Sequence, residues 1–163
     1  IMINPQNMVA LSKIPTKRTK TLKYLFSLPI VGTFVYNMTV NKRTIAQKFH
    51  DTYYYDHNKI DEKDIFTCFE ASHKDKTHSK YLYACKRSRF TNANIMCCLS
   101  NLTNSIFIIV GNSNPENILS ANQYQNQLPS IEIVGIDESK QIPHVEKPDE
   151  FMEQVRIFFS EEE

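Results

Sequence analysis

Ile106-Phe107-Ile108-Ile109-Val110 is an unbroken apolar run of β-branched and aromatic side chains, closed by Gly111. Successive strand residues face opposite sides, so a run without alternation must be covered on both faces. That is the condition of a strand inside a parallel sheet. Ile131-Glu132-Ile133-Val134-Gly135-Ile136 is a second strand pattern. Between the two, Asn114-Pro115-Glu116 supplies a capping side chain, a proline at the first helical position and an acid in the first turn. The helix it opens is expected to run to about Gln127, with Pro129 as its stop. After the loop Asp137–Lys147, Pro148-Asp149-Glu150 starts a last helix that places Phe151, Val155, Phe158 and Phe159 on one face. Strand, helix, strand, helix in this order predicts an α/β sheet with parallel strands.

Upstream the pattern changes. Helical periodicity recurs at about 16–28, 30–38, 42–53, 61–73, 79–89 and 93–102, interrupted by Pro15, Pro29 and Gly32. Ile65, Phe66 and Phe69 fall at helical spacing, as do Tyr81, Leu82 and Cys85. No internal repeat is visible, and the one biased stretch is Glu161–Glu163. Residue 1 is Ile, and Ile1-Met2-Ile3 is itself strand-like. The expected sheet therefore has about three strands, too few to close an α/β core, and its open edge calls for an N-terminal half or another chain.

Composition narrows the function classes. With 163 residues, 41% hydrophobic and 23% charged, the chain is globular rather than disordered. Only Gly32, Gly111 and Gly135 occur, which excludes a Gly-rich phosphate loop, and no G-x-S-x-G elbow is present. Cys68, Cys85, Cys97 and Cys98 lack C-x-x-C spacing, so reduced thiols and a cytoplasmic location are expected. No metal or organic cofactor is implied. The net charge of +1 hides a split: residues 1–50 hold eight basic residues and no acid, whereas residues 111–163 hold three basic and eleven acidic ones. Without a nucleic-acid fold motif, that split is read as two surfaces, and no nucleic-acid partner is expected. Leu25–Val40 follows Lys17, Arg18, Lys20 and Lys23 in the manner of a signal peptide. It is internal, broken by Pro29, Gly32 and Asn37, and shorter than the ~20 residues of a spanning helix. A pair of helices that is buried or lines a pocket is expected instead, and membrane-surface contact is not. The sequons Asn37-Met38-Thr39 and Asn101-Leu102-Thr103 matter only in a secreted protein, to which nothing else points.

His144 is the residue most suited to chemistry. It lies in Gln141-Ile142-Pro143-His144-Val145-Glu146-Lys147-Pro148, between a strand and the last helix, where open α/β sheets place function. His50, His57, His73 and His78 lack ligand spacing and are read as surface histidines. The ending as a whole resembles the C-terminus of the α/β-hydrolase fold family, in which a catalytic His is followed by an apolar residue, a Glu, a Pro and a terminal helix. Ile106–Gly111 resembles that family's seventh strand, Ile131–Ile136 its eighth, and Ile1-Met2-Ile3-Asn4-Pro5 the end of its sixth. The resemblance implies a strand of the hydrolase core at residues 1–5, an inserted helical cap region at 6–104 and the C-terminal core at 105–163.

It also implies a serine-hydrolase-like triad acting on an ester or related acyl bond, with an apolar or acyl substrate under the cap. His144 would be the general base, and the nucleophile would lie outside this chain, which alone should be inactive. The acid belongs a few residues after the seventh strand, where this sequence has Gly111-Asn112-Ser113-Asn114-Pro115-Glu116. Asn114 occupies the expected acid position; it is either a plain helix cap or an orienting amide, Glu116 would otherwise supply the carboxylate from the first helical turn, and failing both the acid lies upstream or is lost. Asp137 and Glu138 rank behind them. The alternative is a hydrolase-like protein with a degenerate triad that binds a ligand or partner without catalysis. A self-standing protein that recruits a strand at its sheet edge is a third reading.

Overall fold

The computed structural model describes residues 1–75 and 78–160; the Glu161–Glu163 tail lies outside them. In chain order the elements are β1 (Met2–Ile3), α1 (Met8–Leu11), α2 (Lys17–Ser27), α3 (Pro29–Thr39), α4 (Lys42–Lys48) and α5 (Glu62–His73). They continue with α6 (His78–Arg87), α7 (Met96–Leu99), β2 (Phe107–Gly111), α8 (Pro115–Gln127), β3 (Glu132–Ile136), α9 (Pro143–Glu146) and α10 (Pro148–Ser160).

The chain divides into two compact units. The sheet unit comprises 1–10, 50–60 and 94–163, and the helical unit 11–49 and 61–93. The boundaries of these units differ from residues 5 and 105. Residues 50–60 and 94–104, read as cap, belong with the sheet, because backbone and side chains there bond to the segment after β3 or pack on the sheet.

In the sheet unit the strands run in the order β1-β2-β3, all parallel, with Ile108 opposite both Met2 and Ile133. All five residues of β2 are buried, as the unbroken apolar run requires. Its alternation sorts the core into two layers. Ile108 and Val110 pack with Met8, Leu99, Ala121, Tyr124 and Ile131, while Phe107 and Ile109 pack with Ile136, Phe151, Val155 and Phe158. Phe158 stacks on Phe107 at 5.0 Å. Phe159, expected on the same face, is instead exposed, since it sits one residue past the inward stripe of α10.

The helical unit centres on Phe26, Tyr36 and Ala84, with Leu22, Val35, Val40 and Tyr83 around them. Thr16 caps α2 and Asn41 caps α4, each in a reciprocal capping box with a threonine at the third helical position. The junction of α2 and α3 is held by buried Lys80, whose Nζ donates to the Leu28 carbonyl at 3.3 Å and the Thr33 hydroxyl at 3.2 Å. Several expectations fail here. Helix α6 buries Lys80 and Ala84 and leaves Tyr81 and Leu82 exposed. Phe66 is exposed on α5. The helix expected at 42–53 is α-helical to Lys48 and passes into a π-helical turn at Phe49–Tyr53. Of the helix expected at 93–102, only the single turn α7 forms. His73 is not a plain surface histidine: its ring is partly buried against Tyr36 and Phe69, at 5.5 and 4.3 Å. The apolar stretch at 25–40 is half in and half out, with Phe26, Gly32 and Tyr36 buried and Ile30, Phe34 and Met38 exposed.

Candidate active site

The carboxyl ends of β2 and β3 meet in a network built from backbone and a few polar side chains. Beyond the strands the pairing continues: Asn112 N–H donates to the Ile136 carbonyl and Ser113 N–H to the Ser139 carbonyl, both at 3.0 Å. The segment after β3 then crosses the end of β2. It passes so close that a Cβ at Gly111 would strike the Lys140 carbonyl. Glycine is required there for approach rather than for its dihedral freedom.

Asn4, just past β1, ties all three strand ends together. Its φ of 41° lies in the left-handed region that Asn tolerates better than most residues. Its N–H extends the β1–β2 ladder to Ile109, and its Oδ1 accepts from Gly111 N–H at 3.0 Å. Its Nδ2 donates to the carbonyls of Lys140 and Gln141 at 3.0 and 2.9 Å. Asn117 on α8 adds bonds from its Nδ2 to the Gly111 and Lys140 carbonyls, at 3.3 and 3.2 Å.

Glu146 holds the far end. Its side chain is enclosed, at 1% exposure, and its carboxylate accepts from backbone N–H groups. Oε1 accepts from Tyr55 at 2.6 Å and Asp56 at 3.4 Å, and Oε2 from Lys140 at 2.8 Å. These bonds satisfy the oxygens of a buried carboxyl group. Lys59 Nζ donates to the Glu146 carbonyl at 2.6 Å, and Lys140 Nζ reaches the carbonyls of His50 and Asp51, each at 3.3 Å. Lys147 pairs with Glu138 at 2.9 Å, and that bond holds its ammonium above the ordinary lysine pKa, against a smaller opposing effect of desolvation. A cleft of about 640 Å³ opens beside this anchor, lined by Tyr55, His57, Asn58, Lys59, Glu138 and Lys147 among others.

His144 stands on this frame. The segment is not a plain loop there: α9 makes one helical turn, with Pro143 buried at its start and His144 exposed on it. The imidazole meets the edge of Phe151 at 5.8 Å and, among the described residues, makes no hydrogen bond. The sequence-derived partners are occupied elsewhere. Asn114 caps α8, accepting from Glu116 N–H at 3.1 Å, and its Nδ2 lies 3.5 Å from Asn117 Oδ1. Glu116 is exposed in the first turn of α8. Asp137 accepts from Asn112 Nδ2 at 2.7 Å, and Glu138 is paired with Lys147. None of the four is bonded to His144. Among the described residues, no three His, Cys, Asp or Glu side chains converge as metal ligands, and no helix is long and apolar enough to cross a membrane.

The sequence singles out His144 but not the buried side chains beneath its segment. Glu146 stands two residues on, inside the motif that contains the histidine, and its burial is visible only in the structure.

No protein-family model matches the sequence, and no curated protein matches it. Solved structures do. The chain is similar to MenH from S. aureus at 14% identity, over 97% of this chain and 55% of that one, with a TM-score of 0.58. A carboxylesterase structure from the ammonia-oxidizing thaumarchaeon Nitrososphaera gargenis gives 19% identity, 98% and 54% coverage, and a TM-score of 0.57. Est816, described as an N-acyl homoserine lactone degrading enzyme, gives 15% identity, 84% and 53% coverage, and a TM-score of 0.54. The chain thus spans about half the length of the structures it matches, and over that half it has the α/β-hydrolase fold.

Proposed function

We propose that this α/β-hydrolase-fold chain carries the histidine side of an acyl-hydrolase site, with His144 as general base and the nucleophile supplied from outside these 163 residues. The observation that supports this is the investment of buried polar groups in one short segment. Asn4, Asn117 and Glu146 all bond the backbone between Ser139 and Ile142 or the strand ends beneath it, and the turn they steady presents an imidazole free of hydrogen bonds to the described residues. A positioned imidazole with accessible nitrogens can take the proton of an attacking hydroxyl and return it to the departing alkoxide of an ester. The solved neighbours named for esterase and lactone-degrading activity have the same fold, which is consistent with acyl chemistry and does not extend to a substrate.

A second reading rests on Asn114. An amide stands where the family's acid belongs, and it is committed to capping α8. That favours a hydrolase-like protein that binds a ligand or partner without turning it over, because an amide cannot stabilise the imidazolium as a carboxylate does.

The isolated chain is expected to hydrolyse p-nitrophenyl esters no faster than an equal concentration of free imidazole, with His144→Ala changing nothing beyond that background. A faster rate that His144→Ala abolishes would show that the nucleophile is within the chain. In the protein joined to its upstream sequence, His144→Ala should lower ester turnover by roughly 10³-fold or more. Turnover that survives the substitution removes His144 from the mechanism, and absence of turnover in the unsubstituted protein favours the binding reading.

A further inference from the structure

Helices α2 and α3 present an outward surface that the sequence expected to be covered. On α3, Ile30, Phe34 and Met38 recur at four-residue spacing and are 84%, 65% and 62% exposed, with Val31 beside them also exposed. They lie opposite Gly32 and Tyr36, the residues that α3 buries. On α2, Lys17, Lys20 and Tyr24 share an outward stripe at helical spacing, and Tyr24 is 68% exposed; Phe26 marks the inward side. Isolated surface hydrophobics are ordinary, but a run of large ones along one helix face beside a cationic helix is not.

We infer that the outward faces of α2 and α3 form a peripheral docking surface for anionic phospholipid. The occupant is selected by charge. Residues 1–50 carry eight basic residues and no acid, and Lys17, Arg18 and Lys20 are exposed on α2. On α2 and α3 themselves an apolar face is bordered by cations and carries no carboxylate, which matches a bilayer interface, where acyl chains take the side chains and phosphate-bearing headgroups meet the lysines. Attachment would lie in the interface plane, since neither helix is long enough to span. A second copy of this chain is the poorer fit, because two such faces brought together would oppose their lysines.

The test is co-sedimentation of the chain with phosphatidylcholine vesicles and with mixed phosphatidylcholine–phosphatidylserine vesicles, alongside its oligomeric state by light scattering. Binding to the mixed vesicles, weakened by added salt, is expected. Replacing both Lys17 and Lys20 by Glu should reduce partitioning on the order of tenfold or more, and Phe34→Ser should reduce it on the order of tenfold. Both substitutions lie on exposed positions and should leave the thermal transition in place, so loss of binding by folded variants supports the surface. Recovery of the chain in the supernatant with both vesicle types overturns the inference. So does binding that ignores lipid charge and the lysine replacements, and so does a dimer that Phe34→Ser dissolves without any vesicle binding.

Discussion

Asn4 shows how much of a site can depend on one side chain. It satisfies Gly111 N–H and two carbonyls of the His144 segment while holding a left-handed backbone. Asn4→Ala removes those bonds, leaves buried backbone groups unpaired and places an Ala at positive φ, so a loss of about 3 kcal/mol or more is expected in urea unfolding. Asn4→Gly removes the same bonds but tolerates the dihedral, and should recover roughly 1 kcal/mol of that loss. Equal stabilities for the two variants would show that the dihedral carries no cost. The residue was invisible in the sequence because its partners lie 107 to 137 positions away. His144 was visible because its setting between strand and helix is local.

At the scale of elements, the boundaries written in capping and proline chemistry formed as read. Asn114-Pro115 starts α8 and Pro148 starts α10, whereas Pro29, read as an interruption, opens α3, and Gly32 lies inside that helix. Which face each helix buries was less legible. Helix α3 turns Gly32 inward because its backbone approaches the end of α2 so closely that a Cβ would strike the Phe26 carbonyl. Gly32→Ala must push the two helices apart, and despite the better helix propensity of Ala a net loss of about 1–3 kcal/mol is expected in thermal or denaturant melts. A variant as stable as the parent would mean that the contact relaxes freely. The same choice of inward face leaves Ile30, Phe34 and Met38 outside. Periodicity marks a stripe but does not say which of two apolar stripes finds a partner.

Over the whole molecule, each unit holds a buried tyrosine whose pKa is raised mainly by loss of hydration: Tyr36 in the helical unit, where the bond to Ser72 partly opposes the shift, and Tyr124 in the sheet unit. A raised folded-state value means stabilisation that is complete below the ordinary phenol pKa of 10.0 and is lost as pH climbs through the higher folded value. Melting followed against pH should therefore fall off above pH 10 in both units. Tyr36→Phe should flatten that fall for the helical unit and Tyr124→Phe for the sheet unit, each costing about 1 kcal/mol at neutral pH for its lost hydroxyl bond. A fall that neither substitution alters would place its origin in other groups. The sequence by itself determined the parallel strands, the helix starts and the histidine segment, because burial on both faces, capping and proline geometry act between neighbours along the chain. Only the tertiary structure decided that Glu146 is a buried anchor, that 50–60 belongs with the sheet and that Asn114 makes no bond to His144. Those outcomes rest on hydrogen bonds and contacts between distant segments, and the backbone N–H of Tyr55 leaves no mark on the spacing of residues around Glu146.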